Sequence, residues 1–241
     1  MLGVSRDGDV VTIELQRPER RNALNAELVT RLRDAVPEAA ETARVIVLTG
    51  QGPIFSAGAD LSGVYSQDFL DTLVDMLHTI ESVPIPVIAA INGGALGAGV
   101  QLALACDLRV MTPDSYLAIP AAKLGLTVDG WTVRRLVSLI GGGPARTVLL
   151  GAEPVSASDA YAFGFANRIG TLADAQEWAK SIAELAPLSL RHLKLVLNDD
   201  GTRGADTPEQ VSALEAAWTS ADAQEARSAR EQKRAAKFVG R

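Results

Sequence analysis

The feature that most constrains this chain is the stretch AINGGALGAGVQLALACD, residues 90–107. Six residues with little or no side chain (Gly93, Gly94, Ala95, Gly97, Ala98 and Gly99) stand between a β-branched run and the apolar segment VQLALAC. A helix that begins there leaves its first N–H groups without intrahelical acceptors. Small residues let another atom approach those groups closely. Such a junction suits a phosphate, an oxyanion, or nothing more than tight helix–sheet packing. The phosphate patterns do not fit: the spacing is G-x-x-G-x-G rather than G-x-G-x-x-G, and no Gly-Lys-Ser/Thr is present.

Around this stretch the chain alternates strand, loop and helix, which predicts an α/β fold. VVTIEL (Val10 to Leu15) alternates apolar and polar residues and reads as a strand. RVIVLTG (Arg44 to Gly50) and VIAAIN (Val87 to Asn92) are nearly continuous apolar runs, as expected of strands buried on both faces. LRVM (Leu108 to Met111) is read as a third such strand. Asn25 is placed to cap a helix, with Leu24 and Val29 at the positions of a hydrophobic staple. That helix is expected to stop before Pro37. Phe69, Leu73, Leu77 and Ile80 recur at helical spacing, and Pro84 and Pro86 follow. Beyond about Leu185 strand signals cease. Thr207-Pro208-Glu209-Gln210 combines a capping box with proline at the first helical position. The segment ADAQEARSAREQKRAAK reads as a polar helix that must pack on the core or on another subunit. The division expected is a core over 1–185 and a helical region over 186–241.

Charge and rare residues exclude several classes. With 23 Lys and Arg against 29 Asp and Glu, the net charge is −6, which argues against a nucleic-acid partner. No run of eighteen apolar residues suggests a membrane span. The N-terminal residues do not read as a signal peptide. One cysteine, Cys106, leaves no internal disulfide and suits a cytoplasmic location. His78 and His192 lie too far apart in sequence to suggest a metal site, and none is expected.

A second glycine-centred loop, FSAGADL (Phe55 to Leu61), also follows a buried strand. Two strand-to-loop junctions, each able to present a bare amide, suit the paired donors of an oxyanion hole, worth about 3–4 kcal/mol each in other enzymes.

LQRPERRNALN, FSAGADL, AINGGALGAGVQLALACDLRV, AKLGL and GAEPVSASDAYAFGFANRI occur in that order, followed by a basic C-terminal helix. Together they resemble the enoyl-CoA hydratase/isomerase (crotonase) superfamily across nearly the whole chain. The resemblance implies a crotonase-like spiral of ββα turns with a C-terminal helical region. It implies a homo-trimer, often paired into a hexamer, and an acyl-CoA thioester as ligand. Coenzyme A would enter as part of that ligand, with no permanently bound cofactor, and the setting would be fatty-acid or lipid metabolism. The oxyanion donors would be the backbone N–H groups of Ala59 and Ala98. Ala57, Asp60 and Leu61 would border the coenzyme A. Lys237 and Phe238 resemble a C-terminal element that meets the nucleotide, whereas from charge alone Lys237 is a solvated tail residue.

The sequence also departs from that family. The two hydratase glutamates belong three residues after the second donor and twenty residues beyond that; here the positions hold Gln101 and Ala121. A glutamine amide accepts no proton at neutral pH, and alanine offers no functional group. Losing two acid/base groups should cost far more than the factor of about 10²–10⁴ expected for one. Asp129, in GLTVDGWTVRRL, occupies a position that resembles the one where isomerase and dehalogenase members of that family carry a working aspartate. Asp-Gly is equally a turn dipeptide, so Asp129 is either a cap or a pocket residue. Three functions stay open: a crotonase-type enzyme that does not hydrate, a non-catalytic acyl-CoA carrier serving a partner protein of lipid synthesis, and a hydratase with displaced acid/base groups.

Overall fold

The computed structural model describes residues 1–61, 63 and 66–240. It divides into two compact units, Met1–Ala118 with Val155–Asp200 and Ile119–Pro154 with Gly201–Arg241.

In the first unit the chain order is β1 (Leu2–Asp7), β2 (Val10–Leu15), α1 (Ala26–Thr42), β3 (Val45–Gly50), β4 (Ile54–Ser56), α2 (Gln67–Ser82), β5 (Val87–Ile91), β6 (Gly94–Leu96), α3 (Ala98–Ala105), β7 (Leu108–Met111) and β8 (Tyr116–Ala118). The second unit contributes α4 (Gly130–Ile140) and α5 (Gly142–Leu149). The chain then returns as β9 (Val155–Ser156), α6 (Ala157–Ala162), β10 (Arg168–Ile169), α7 (Leu172–Ala183) and α8 (Pro187–Asn198). Finally α9 (Pro208–Thr219) and α10 (Ala221–Glu231) rejoin the second unit.

Two sheets organise the first unit. The larger runs β1-β2-β3-β5-β7-β10, parallel except for the β1–β2 hairpin, and the smaller runs β4-β6-β8-β9. Consecutive turns send one strand into each sheet: β3 then β4, β5 then β6, β7 then β8. A helix follows in the first two turns, α2 and α3. This is the spiral of ββα turns that the family resemblance implies. The continuous apolar runs are explained by burial on both faces: every residue of β3 and β5 is buried. On one face Val45, Val47, Ile88, Ala90 and Val110 meet Ala175, Ala179, Ile182 and Ala183 of α7. Helix α1 packs on β3 and on α2, through its buried Leu28, Val29, Leu32 and Val36.

Two sequence expectations are corrected. Helix α1 does not stop before Pro37 but carries it internally and continues to Thr42. Pro37 is exposed, so its ring faces solvent, while the turn after it still buries Ala39 against the core. The small-residue stretch is not loop up to the helix, because Gly94–Leu96 forms β6. Asp107 ties α8 to β5. Its carboxylate accepts from Lys194 Nζ of α8 at 2.8 Å and from the Val87 N–H at 2.7 Å. Arg109 donates to the carbonyls of Phe165, Cys106 and Asp107. The hairpin strand β1 carries too weak an alternation to be seen in the sequence: four of its six residues are exposed.

Asp129 and Gly125 both lie in the second unit. Asp129 caps α4, its Oδ1 accepting from the Thr132 N–H at 2.7 Å. Gly125, with φ +63°, touches the start of α10: a Cβ there would lie 2.6 Å from the Asp222 carbonyl oxygen. The polar helix α10 buries only Ala223 and Ala229. No helix among the described residues is long and apolar enough to cross a membrane.

Candidate oxyanion site

The site forms where the loop after β4 meets the loop between β6 and α3. Two glycines make that meeting possible. Gly58 has φ +90°, and a Cβ there would lie 2.6 Å from the Leu96 carbonyl oxygen and 3.3 Å from the Ala98 nitrogen. A Cβ on Gly99 would lie 2.6 Å from the Ser56 carbonyl oxygen. Both positions therefore exclude a side chain, and the backbones pack directly on each other.

Each loop then leaves one amide unspent. Leu24 and Ala59 form an isolated parallel bridge in which the Leu24 N–H donates to the Gly58 carbonyl and the Asp60 N–H donates to the Leu24 carbonyl, both at 2.8 Å. The residues flanking Ala59 face Leu24, so the Ala59 N–H points the other way. At the second loop Gly97 serves as the N-cap of α3 with φ +49° and ψ −115°, a conformation suited to glycine. Its N–H donates to the Ala118 carbonyl and its C=O accepts from the N–H groups of Val100 and Gln101. Ala98 is the first residue of the helix, and its N–H is one of the orphan donors of that terminus. Neither the Ala59 nor the Ala98 amide meets an acceptor among the described residues. The aligned peptides of α3 add positive potential at the same end.

Gln101 lies one turn along α3 from Ala98 and is 7% exposed. Ala121 opens a 3₁₀ turn, Ala121–Leu124, in the second unit. Asp129 is the cap described above; its Oδ1 is committed to the Thr132 amide. Lys123 donates to the Ala152 carbonyl at 2.8 Å. Cys106 is a core residue: burial pushes its thiol up to about 12, and its Sγ donates to the Leu102 carbonyl.

Two residues passed over as loop in the sequence hold the first donor loop in place. Asn22 is fully buried at φ +52°. Its Nδ2 donates to the carbonyls of Gln51 and Ile54 at 2.9 and 2.7 Å, its Oδ1 accepts from the Arg17 N–H, and its own carbonyl accepts from Ser56 Oγ. Arg17 Nη1 donates to the Ala23 carbonyl at 2.9 Å and to Asp60 Oδ2 at 2.8 Å. Ala57, in the same loop, donates its N–H to the Arg21 carbonyl. Leu61 is half-buried at the loop's end. The visible signal was the polar cluster inside RPERRNALN, but its partners lie about thirty to forty residues away.

The C-terminal residues Lys237 and Phe238 sit on a strap of the second unit. Glu225 accepts from Arg234 Nη2 at 2.8 Å and from the Lys237 N–H at 2.9 Å, and Asp222 accepts from the N–H groups of Val239 and Gly240. Arg234 foremost, and then the Lys237 amide, pull the Glu225 carboxyl from 4.5 down to about 2. A lowered carboxylate stabilises the fold above its unfolded value and loses that contribution as pH falls through the folded one. The strap is therefore expected to hold at pH 5 and to release between pH 4.5 and about 2. The Lys237 amide resonance reports this directly, and a midpoint near 4.5 would show that the contacts do not form.

Known proteins share this whole frame. The family model described as enoyl-CoA hydratase/isomerase matches residues 5–241. A probable enoyl-CoA hydratase echA6 of Mycobacterium leprae is 52% identical over 246 residues, covering all of both chains. A putative enoyl-CoA hydratase of Thermus thermophilus is 37% identical, over 88% of this chain and 89% of that one. Among solved structures, an enoyl-CoA hydratase/isomerase from Pseudoalteromonas atlantica superposes with a TM-score of 0.89 at 26% identity, covering 99% of each chain. The two-sheet spiral, the glycine-welded loops and these end-to-end matches agree, and the chain belongs to the enoyl-CoA hydratase/isomerase (crotonase) family.

Proposed function

We propose that the protein binds acyl-CoA and enoyl-CoA thioesters in fatty-acid metabolism, gripping the thioester oxygen with the Ala59 and Ala98 amides, and that it is not a classical hydratase. The observation that carries this is the pair of unspent amides on two loops packed backbone to backbone, beside a helix that bears Gln101 where a hydratase needs a carboxylate. Negative charge gathers on a thioester oxygen whenever the α-carbon becomes enolate-like, and fixed N–H dipoles stabilise it without reorganising. Binding survives on these donors alone. Hydration also needs a base for water and an acid for the α-carbon, and neither Gln101 nor Ala121 supplies one. The related proteins named as hydratases support the ligand class more than the reaction. Ala57, Asp60, Leu61, Lys237 and Phe238 are proposed to border the coenzyme A. The exposed Leu188, Leu193, Leu195 and Leu197 of α8 support assembly into a trimer or hexamer, and a cytoplasmic location is proposed with it. A non-catalytic carrier that hands the ligand to a partner protein fits the same features.

A second reading has one observation in its favour. Asp129 commits Oδ1 to its helix, whereas Oδ2 takes no partner among the described residues. That oxygen could move a proton in a double-bond isomerisation.

The test is to mix purified protein with crotonyl-CoA and with a longer enoyl-CoA, following the conjugated enoyl absorbance, while calorimetry measures binding. Saturable binding with no loss of absorbance is expected. Turnover abolished by Asp129→Asn would favour the isomerase reading. Rapid hydration untouched by either Gln101→Ala or Asp129→Asn would overturn both.

A further inference from the structure

The donor loop contains a continuous hydrogen-bond relay that ends on a cation. Arg17 Nη1 donates to the carbonyl of Ala23 at 2.9 Å. The same peptide group carries the Leu24 N–H, which donates to the Gly58 carbonyl at 2.8 Å. That second peptide group carries the Ala59 N–H. Trans peptides are planar, with C=O and N–H pointing in opposite directions. Each peptide therefore passes the direction of the bond behind it to the bond ahead. Pulling on the Ala23 oxygen with a guanidinium polarises the first peptide, whose N–H pulls harder on the Gly58 oxygen, and so on to Ala59. Hydrogen bonds in series strengthen one another in this way, by about 10–30% per bond.

The anchor of the relay is itself fixed. Arg17 is 16% exposed and Asp60 22% by side chain, and the 2.8 Å ion pair between them holds the guanidinium in register. The Arg17 N–H is tied to Asn22 Oδ1 at 3.0 Å. On the other side of the relay, Ser56 Oγ accepts from the Gly58 N–H and donates to the Asn22 carbonyl. A surface arginine with one carboxylate partner would do none of this.

We infer that Arg17 is a positioning residue of the oxyanion site, which aims and polarises the Ala59 amide through the Ala23–Leu24 and Gly58–Ala59 peptides without touching the ligand. This rests on the thioester reading above.

Two measurements on the intact protein test it. The first is the ratio of affinities for an acyl-CoA thioester and the matching thioether, which lacks the carbonyl. The second is the carbonyl stretching frequency of the bound thioester by isotope-edited infrared spectroscopy. The native protein should prefer the thioester and lower its carbonyl frequency. In Arg17→Met and Arg17→Gln the preference should drop about two- to sevenfold and the frequency shift should shrink, with thioether affinity falling less than thioester affinity. Arg17→Lys, which keeps a cationic donor, should restore most of both. A purely structural arginine would lower both affinities together and leave the frequency of whatever thioester still binds. Unchanged preference and frequency in Arg17→Met and Arg17→Gln would overturn the inference alone. A native protein with no thioester preference and no shift would overturn the thioester reading, and the relay with it.

Discussion

Gly58→Ala is expected to unfold part of the donor loop and to lower acyl-CoA affinity by at least about tenfold, the largest single effect on ligand binding. Two costs add. The backbone sits at φ +90°, where an L side chain is strained, and the new Cβ would lie 2.6 Å from the Leu96 carbonyl oxygen and 3.3 Å from the Ala98 nitrogen. No rotamer relieves the overlap, because alanine has none and the opposing atoms are backbone. The two loops must part, and the Ala59 and Ala98 amides with them. A stability loss of about 2–4 kcal/mol is expected from strain and overlap together. Gly97→Ala is the control. Gly97 also has a positive φ, yet nothing lies within 4 Å of its Cβ position. It should lose stability from torsion alone and keep more of its ligand affinity. Urea denaturation and calorimetry on the two variants separate the effects. Equal binding by Gly58→Ala and the native protein would mean that the two loops do not act together.

Asn22→Ala should be among the most destabilising single substitutions in the chain, at about 3–5 kcal/mol. The side chain is fully buried and makes three hydrogen bonds, two of them to carbonyls, those of Gln51 and Ile54. Removing it strands partly buried acceptors and puts alanine at φ +52°, which asparagine tolerates better. Asn22→Asp tests the polarity of the site at almost constant shape. The replaced amide nitrogen would become an oxygen facing two carbonyl oxygens, so the ionised form is repelled. Protonation removes the charge and restores one donor, so the folded state raises this carboxyl. A group raised on folding favours the native state more as pH falls. The deficit of Asn22→Asp should therefore shrink from pH 8 to pH 5, while that of Asn22→Ala stays constant. Denaturant midpoints at the two pH values decide it. Parallel deficits would place Asn22 outside the hydrogen-bonded position described.

Much of the frame was readable in the sequence because its signals are local. Burial on both faces leaves continuous β-branched runs, and these give β3, β5 and β7 within a residue. Asn25 and Thr207 cap the helices they precede, since a cap depends only on neighbours three residues away. Where the expected local signal met a tertiary demand, the latter prevailed: α1 continues through Pro37 because the following turn is needed against the core. The short strands of the second sheet were missed for a related reason. Three residues of β6, two of them Gly and Ala, carry no periodicity of their own and become a strand only by pairing with β4 and β8.

The candidate site divides in the same way. Sequence by itself determined which atoms are available: bare residues at two junctions, and Gln101 and Ala121 where carboxylates would stand. Composition of this kind is covalent and needs no fold. Which amides stay unspent, and which way they face, was decided by tertiary structure alone. Leu24 consumes the hydrogen-bonding groups on either side of Ala59, Gly58 and Gly99 bring two distant backbones into contact, and Arg17 and Asn22 reach across to hold the result. Those are long-range hydrogen bonds and steric exclusions, and a linear sequence carries no distance between their partners.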